Sequence, residues 1–212
     1  MNPRHHPPAE LLIDYAAGSL ERGRALVVDA HLSACADCRH DKEIAEAVGG
    51  ALMEALPGAE LDSDALAKAM ARIERPQRAS SPAAPPLRPG WIEVPADVAV
   101  AARRRRWAAP GVWVAPVLRG PGGQRSYLLR VGAGMTVPRH THAGSELVCV
   151  IKGAFTDRGE VYGPGDVAES DGAIEHAPKV TADGECVCLI AADNALIARD
   201  WVGRLFQPLV AI

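Results

Sequence analysis

Long apolar runs are missing from this 212-residue chain. Nothing in it approaches the roughly eighteen uninterrupted apolar residues that a membrane-crossing helix needs, so no membrane span is expected. The opening residues, Met1-Asn2-Pro3-Arg4-His5-His6-Pro7-Pro8, lack the apolar core of a secretory signal. A basic face is missing as well. Residues 1–78 hold nine Lys/Arg against thirteen Asp/Glu, and residues 79–212 hold fourteen against thirteen. DNA readers usually need a positive surface, so the acidic N-terminal part argues against direct nucleic-acid binding and suits a partner that is itself basic. The one cationic run, Arg103 to Arg106, has a single neighbouring aromatic, Trp107, and reads as a solvated edge. Cysteines are few and odd in number: five, two of them spaced for a metal rather than for a disulfide framework. The expected compartment is the reducing cytoplasm. No internal repeat is present.

What the chain does contain is a change of texture at a proline-rich stretch. Residues 79–90 carry four prolines in twelve positions, which supply neither helix nor sheet donors. This is an extended linker, able to separate its flanks by up to about 35 Å at roughly 3.1 Å per residue. The expected organisation is multidomain α + β: a small helical domain over 1–78, the linker over 79–90 and an all-β domain over 91–212.

The first part reads as four helices. Pro8 to Gly18 places Leu11, Leu12, Tyr15 and Ala16 on one stripe and stops at a glycine. A second helix runs from Glu21 to about Cys35, and a third from about Cys38 toward Leu56, closed by Pro57-Gly58. A fourth, capped by Asp62 or Ser63, carries Leu66, Met70 and Ile73. Four short helices make a thin core that needs a staple. His31-x3-Cys35-x2-Cys38 supplies one. His31 and Cys35 lie one turn apart on a helical face, and Cys38 completes a tight chelate. Structural zinc is tetrahedral, so a fourth ligand is required. His5 and His6 are the best placed, with His40, Asp37 and Asp41 as poorer substitutes. A thioredoxin-like redox pair would follow a strand, and none precedes Cys35.

This segment resembles the zinc-containing anti-sigma domain of regulators of extracytoplasmic-function sigma factors. The resemblance rests on His6, His31, Cys35 and Cys38 within a four-helix span. It implies helices that wrap a sigma factor. Apolar positions such as Leu52, Met53, Leu66 and Met70 would then either dock on that partner or fill the small core.

Beyond the linker, short apolar runs alternate with glycine and proline. Trp113–Leu118, Ser126–Val131, Glu146–Ile151, Val161–Tyr162, Asp166–Ala168 and Cys186–Ile190 read as strands of a sandwich or barrel. One stretch is highly specific: Gly134-x5-His140-x-His142-x3-Glu146-x6-Gly153. Two histidines two apart on a strand point to the same side. Glu146 opens the next strand after a short turn, and Gly153 lets the chain bend. The spacing is similar to the first motif of the cupin family, which implies a double-stranded jelly-roll barrel. Pro164-Gly165-Asp166 and then His176, later than in the shortest pattern, stand where the second motif would be. Three imidazoles and one carboxylate suit zinc or another divalent transition metal. Cys186 and Cys188 share a strand face at about 6.6 Å between Cα atoms, near the limit for a disulfide. They read as core residues that can also lie beside the metal or respond to oxidant, whereas Cys149 reads as buried and inert.

The two motifs, in this order and at this length, resemble the ChrR family, a zinc anti-sigma domain followed by a cupin domain. That resemblance implies a first zinc on His6, His31, Cys35 and Cys38, and a second metal on His140, His142, Glu146 and His176. It implies a sigma-E-type partner held inactive and released on photooxidative stress, through singlet oxygen or organic peroxide sensed by the cupin domain. No catalytic residue is assigned. The competing expectation is a cupin metalloenzyme, a dioxygenase or isomerase, with an accessory zinc domain.

Overall fold

A computed structural model describes residues 2–74, 90–194 and 196–198. All of the proline-rich linker except Gly90 lies outside the described residues. No helix among them is long and apolar enough to cross a membrane.

Four helices precede the linker: α1 (Ala9–Ala16), α2 (Arg22–Ala34), α3 (Ala36–Glu54) and α4 (Ala65–Glu74). Local chemistry explains their ends. Gly18, at φ +71°, follows α1 in a conformation that side chains resist. The Glu21 carboxylate accepts the first free N–H groups of α2, from Gly23 and Arg24. Cys35 is extended, ends α2 and caps α3, its Sγ accepting Cys38 N–H.

The β-region opens with a fifth helix, α5 (Ala96–Ala101), which corrects the expectation that residues 91–212 are all β. The strands are β1 (Arg106–Ala109), β2 (Val112–Arg119), β3 (Arg125–Val131), β4 (His140–His142), β5 (Glu146–Lys152), β6 (Phe155–Asp157), β7 (Glu160–Tyr162), β8 (Val167–Ser170), β9 (Lys179–Val180), β10 (Cys186–Ala192) and β11 (Leu196–Ala198). They form an antiparallel six-stranded sheet of order β1-β2-β3-β10-β5-β8, a three-stranded sheet β7-β6-β9 and a pair β11-β4. Among the described residues the hydrogen-bonded sheets do not close on one another, a second correction. The strands are too short to carry the pairing round, and side-chain packing with isolated backbone bridges, Thr136 to Lys179 and His140 to His176, joins the sheets instead.

The central strands are apolar on both faces because both are covered. Along β10, Val187, Leu189 and Ala191 turn to one side and Cys186, Cys188 and Ile190 to the other. The first set joins Leu128, Leu147, Cys149 and Ile151 in one core with Leu26, Val27, Val28, Ala30 and Leu32 of α2. The second meets Phe155, Tyr162 and Val180 of the small sheet. The molecule is therefore layered: helices, six-stranded sheet, three-stranded sheet. Helix α2 packs on β5, β10 and β3, and α1 lies against α3. The thin core of the small helices is thus completed by the sheet.

Candidate metal centres

The N-terminal arm, the end of α2 and the start of α3 bring His6, His31, Cys35 and Cys38 together, with one ligand atom from each lying within 4.8 Å of the others. His6 Nδ1 is 3.4 Å from Cys35 Sγ and 3.3 Å from Cys38 Sγ. His31 is fully buried, and its Nδ1 lies 2.7 Å from the carbonyl oxygen of Gly165. A carbonyl only accepts, so Nδ1 carries the proton and Nε2 is left as a lone pair. That Nε2 is buried without a hydrogen-bond partner. A lone pair aimed at two thiols, on a ring whose other nitrogen is tied to a carbonyl, is the arrangement of a metal-ligating histidine. Burial pushes the His31 pKa down and drives that of Cys38 up to about 12, so the cluster resists charge of its own. A bound cation would reverse this for the thiols. The donor set fits tetrahedral zinc.

The other candidates are elsewhere. His5 stacks on Tyr162 with ring centroids 4.2 Å apart. His40 is exposed beside Glu43 on α3. Asp37 and Asp41 do not belong to the cluster.

The second constellation also converges. His140 and His142 of β4, Glu146 at the start of β5 and His176 have ligand atoms within 4.8 Å of one another, and all four residues are buried. The geometry is built by pairing. His140 and His176 exchange both backbone hydrogen bonds, at 3.0 and 3.1 Å, which places their rings side by side. This bridge brings in His176 despite its late position in the sequence. His142 Nε2 stands 3.1 Å from His176 Nε2. The outer nitrogens are held: His140 Nδ1 lies 2.8 Å from Pro138 O and His176 Nδ1 2.8 Å from Asp157 Oδ2. Burial, then the neighbouring His140 and His176, pull the His142 pKa down to about 4, while burial raises that of Glu146 to about 8. A neutral His142 beside two further imidazoles, with a carboxyl group that burial alone perturbs, fits a divalent cation.

A cavity of about 80 Å³ adjoins this cluster, with Tyr127, Leu129, Phe155 and Ile190 among its walls. Cys186 and Cys188 line it too, their thiols hydrogen-bonded at 3.6 Å and not joined as a disulfide. They are core residues and neighbours of the cluster at once. Sequence reasoning missed Asp157, which orients His176, and the carbonyls of Gly165 and Pro138. An isolated Asp has no spacing signature, and a carbonyl has no letter.

Comparison with known proteins places these features in a family. The ChrR cupin-like domain model matches residues 95–195, and a zinc-finger model matches residues 9–39. The anti-sigma-E factor ChrR of Cereibacter sphaeroides is 36% identical over 217 aligned positions that span the whole of both chains. A crystal structure of Rhodobacter sphaeroides SigE in complex with the anti-sigma ChrR superposes with a TM-score of 0.74 at 36% identity, covering 90% of this chain and 100% of that one. With the likeness running from end to end and both clusters in place, this chain belongs to the ChrR family.

Proposed function

We propose that this protein is a cytoplasmic anti-sigma factor. It binds and inhibits an extracytoplasmic-function sigma factor and releases it under photooxidative stress. The observation that carries the reading is an apolar surface on the helices that none of the described residues covers. On α3, Ile44, Val48 and Leu52 follow one another at helical spacing, each at least half exposed, with Met53 beside them. On α4, Leu66, Met70 and Ile73 form a second stripe, and no residue of that helix is buried. A ten-residue helix with no buried residue is marginal in water, so α4 needs a partner to lean on. The solved relative is a complex with a sigma factor, which supports that class of partner.

Residues 1–78 are assigned to inhibition and 91–212 to sensing, joined by 79–90. His6, His31, Cys35 and Cys38 would hold zinc, which supplies no chemistry but sets the angle at the α2–α3 joint. His140, His142, Glu146 and His176 would hold zinc or another divalent transition metal. When bound, that ion supplies a Lewis-acidic centre beside the cavity, where a reactive oxygen species or an organic peroxide would be detected. The packed sheets are read as the two walls of a double-stranded jelly roll. The protein is a regulator, not an enzyme.

A sigma-dependent reporter in the native host, before and after singlet-oxygen exposure, tests the scheme. Full-length Leu52→Asp/Leu66→Asp should fail to inhibit in either condition. Glu146→Ala should inhibit but no longer release. Inhibition surviving the paired aspartates would remove the docking surface, and normal release from Glu146→Ala would remove the sensor.

A further inference from the structure

The turn between β7 and β8, Gly163-Pro164-Gly165-Asp166, faces two ways. Toward its own sheet it is pinned to β5: Gly165 N donates to Val150 O at 2.8 Å and Val150 N donates to Asp166 O at 3.0 Å. Asp166 Oδ2 closes the turn by accepting Gly163 N–H at 2.7 Å. The other side serves the helical region. Gly165 O accepts the His31 Nδ1 proton at 2.7 Å. Asp166 Oδ1 accepts the backbone N–H groups of Arg4 and His5 at 2.5 and 3.0 Å. Val167 N donates to His5 O at 3.0 Å. Residues 2–8 belong to no helix or strand, so these bonds satisfy backbone groups that no regular element pairs.

The close approach is built into the sequence. Gly165 has φ +89°, and a Cβ there would stand 2.8 Å from Pro3 Cγ and 2.9 Å from Ala34 Cβ. Asp166 is buried at 4% exposure, so its carboxylate is committed to these donors rather than to water.

We propose that Gly165 and Asp166 are positioning residues for the thiolate cluster, a latch by which the β-region sets the imidazoles of His6 and His31. The proposal rests on reading that cluster as a metal site. Its physical content is twofold. The Gly165 carbonyl fixes the tautomer and ring plane of His31. Asp166 fixes the backbone of the residue before His6, on an arm that has no helix or strand of its own. The latch also joins the two clusters through main chain. Val150, to which it is pinned, is four residues along β5 from Glu146, about 13 Å at strand spacing. Strand β8 leaves the turn and ends at Ser170, opposite Glu146.

The test uses the full-length, zinc-loaded protein and follows transfer of metal to a colorimetric chelator. Release phases are assigned to each cluster with Cys35→Ser and His140→Ala, and the variants compared are Asp166→Asn, Asp166→Ala and the exposed β8 control Glu169→Gln. Asp166→Asn should speed release from the thiolate cluster about 10- to 100-fold, the usual effect of losing a ligand-orienting group. Release from the His/Glu cluster, and from both clusters in Glu169→Gln, should be unchanged. Should Asp166→Ala not fold, hydrogen exchange at the Arg4 and His5 amides of the wild type and Asp166→Asn reports the latch directly, with protection expected in the first and weakened in the second, whose single amide oxygen must serve three N–H donors. Unchanged thiolate release, or equal acceleration at both clusters, overturns the proposal. A wild type that carries no metal on its thiols overturns the metal reading itself, and the latch falls with it.

Discussion

Replacing His31 by phenylalanine gives opposite expectations depending on whether the thiolate cluster holds zinc. Without metal, a buried ring nitrogen lacking a partner costs about 1–3 kcal/mol, which the phenyl ring removes. Against that gain stands the lost bond to Gly165 O, worth about 1 kcal/mol. The carbonyl is not orphaned, because the Cys149 thiol remains 3.9 Å away. The metal-free balance therefore lies between zero and about 2 kcal/mol in favour of the variant. With zinc the arithmetic differs. Structural zinc contributes on the order of 10–16 kcal/mol to folding, so one ligand in four is worth roughly 3–4 kcal/mol. At about 2–4 °C per kcal/mol for a chain of this length, His31→Phe should melt roughly 10 °C below the zinc-loaded wild type. The assay is thermal unfolding of both proteins, with zinc and with chelator. Chelator should bring the wild type down toward the variant and move the variant little. If the two proteins melt together in zinc and chelator affects neither, the cluster is ordinary buried packing and the staple argument fails.

Other expectations follow from the same geometry. Leu52 and Leu66 are 66% and 75% exposed, so Leu52→Asp/Leu66→Asp should leave the melting temperature unchanged. Binding of the sigma factor by calorimetry should weaken at least about 100-fold, since each leucine is worth about 1.5–3 kcal/mol when buried. Lower stability with undiminished binding would assign these residues to the fold instead. Gly153 has φ +74°, and a Cβ there would run into the backbone carbonyl of Glu185. Gly153→Ala should therefore cost several kcal/mol in chemical denaturation, and a wild-type midpoint would mean that the bend relaxes freely. Asp157→Asn leaves His176 Nδ1 without its carboxylate, so metal affinity at the His/Glu cluster should fall about 10- to 100-fold by competition dialysis, with the thiolate cluster unaffected.

Both clusters were legible because each is written mostly in one short segment. His31-x3-Cys35-x2-Cys38 spans a helix end and the next helix start. His140-x-His142-x3-Glu146 spans one strand, a three-residue turn and the next strand. Spacing carries such sites because local backbone geometry alone brings the side chains together. His176 and His6 arrive from a distance: the first was the one histidine left downstream but late for the pattern, and spacing did not choose between His5 and His6. A backbone bridge to His140 brings in the first, and the turn at Gly165 and Asp166 holds the arm of the second. Helix α5 escaped because Ala96-Asp-Val-Ala-Val-Ala101 is too short for a helical stripe and alternates like a strand. The shared core left a trace that can be read afterwards. Every residue from Cys186 to Ala192 is buried, and an unbroken apolar strand means that both faces are covered. The pattern says nothing about what covers them, and here one cover is α2.

That packing constrains how the proposed regulator can work. Helix α2 commits its buried residues to the six-stranded sheet, whereas α3 buries only Cys38 and exposes Val48, Leu52 and Met53 further along. The sheet-facing and partner-facing residues are thus on different helices, so sigma binding need not compete with docking on the β-region. A change in the β-region must then cross from α2 to α3 to reach the partner. The crossing point is Cys35, the last position of one helix and the cap of the next, with a sulfur within reach of His6. A joint held only by an extended residue would swivel, and displacement of α2 would be lost there. A joint fixed by four metal ligands, as proposed above, would pass a rotation of α2 along the 19 residues of α3, about 28 Å at helical rise, to the apolar stripe at its far end. On this argument the thiolate cluster is what makes the docking surface answer to the sheet, and the arm carrying His6 is held by the sheet's own turn.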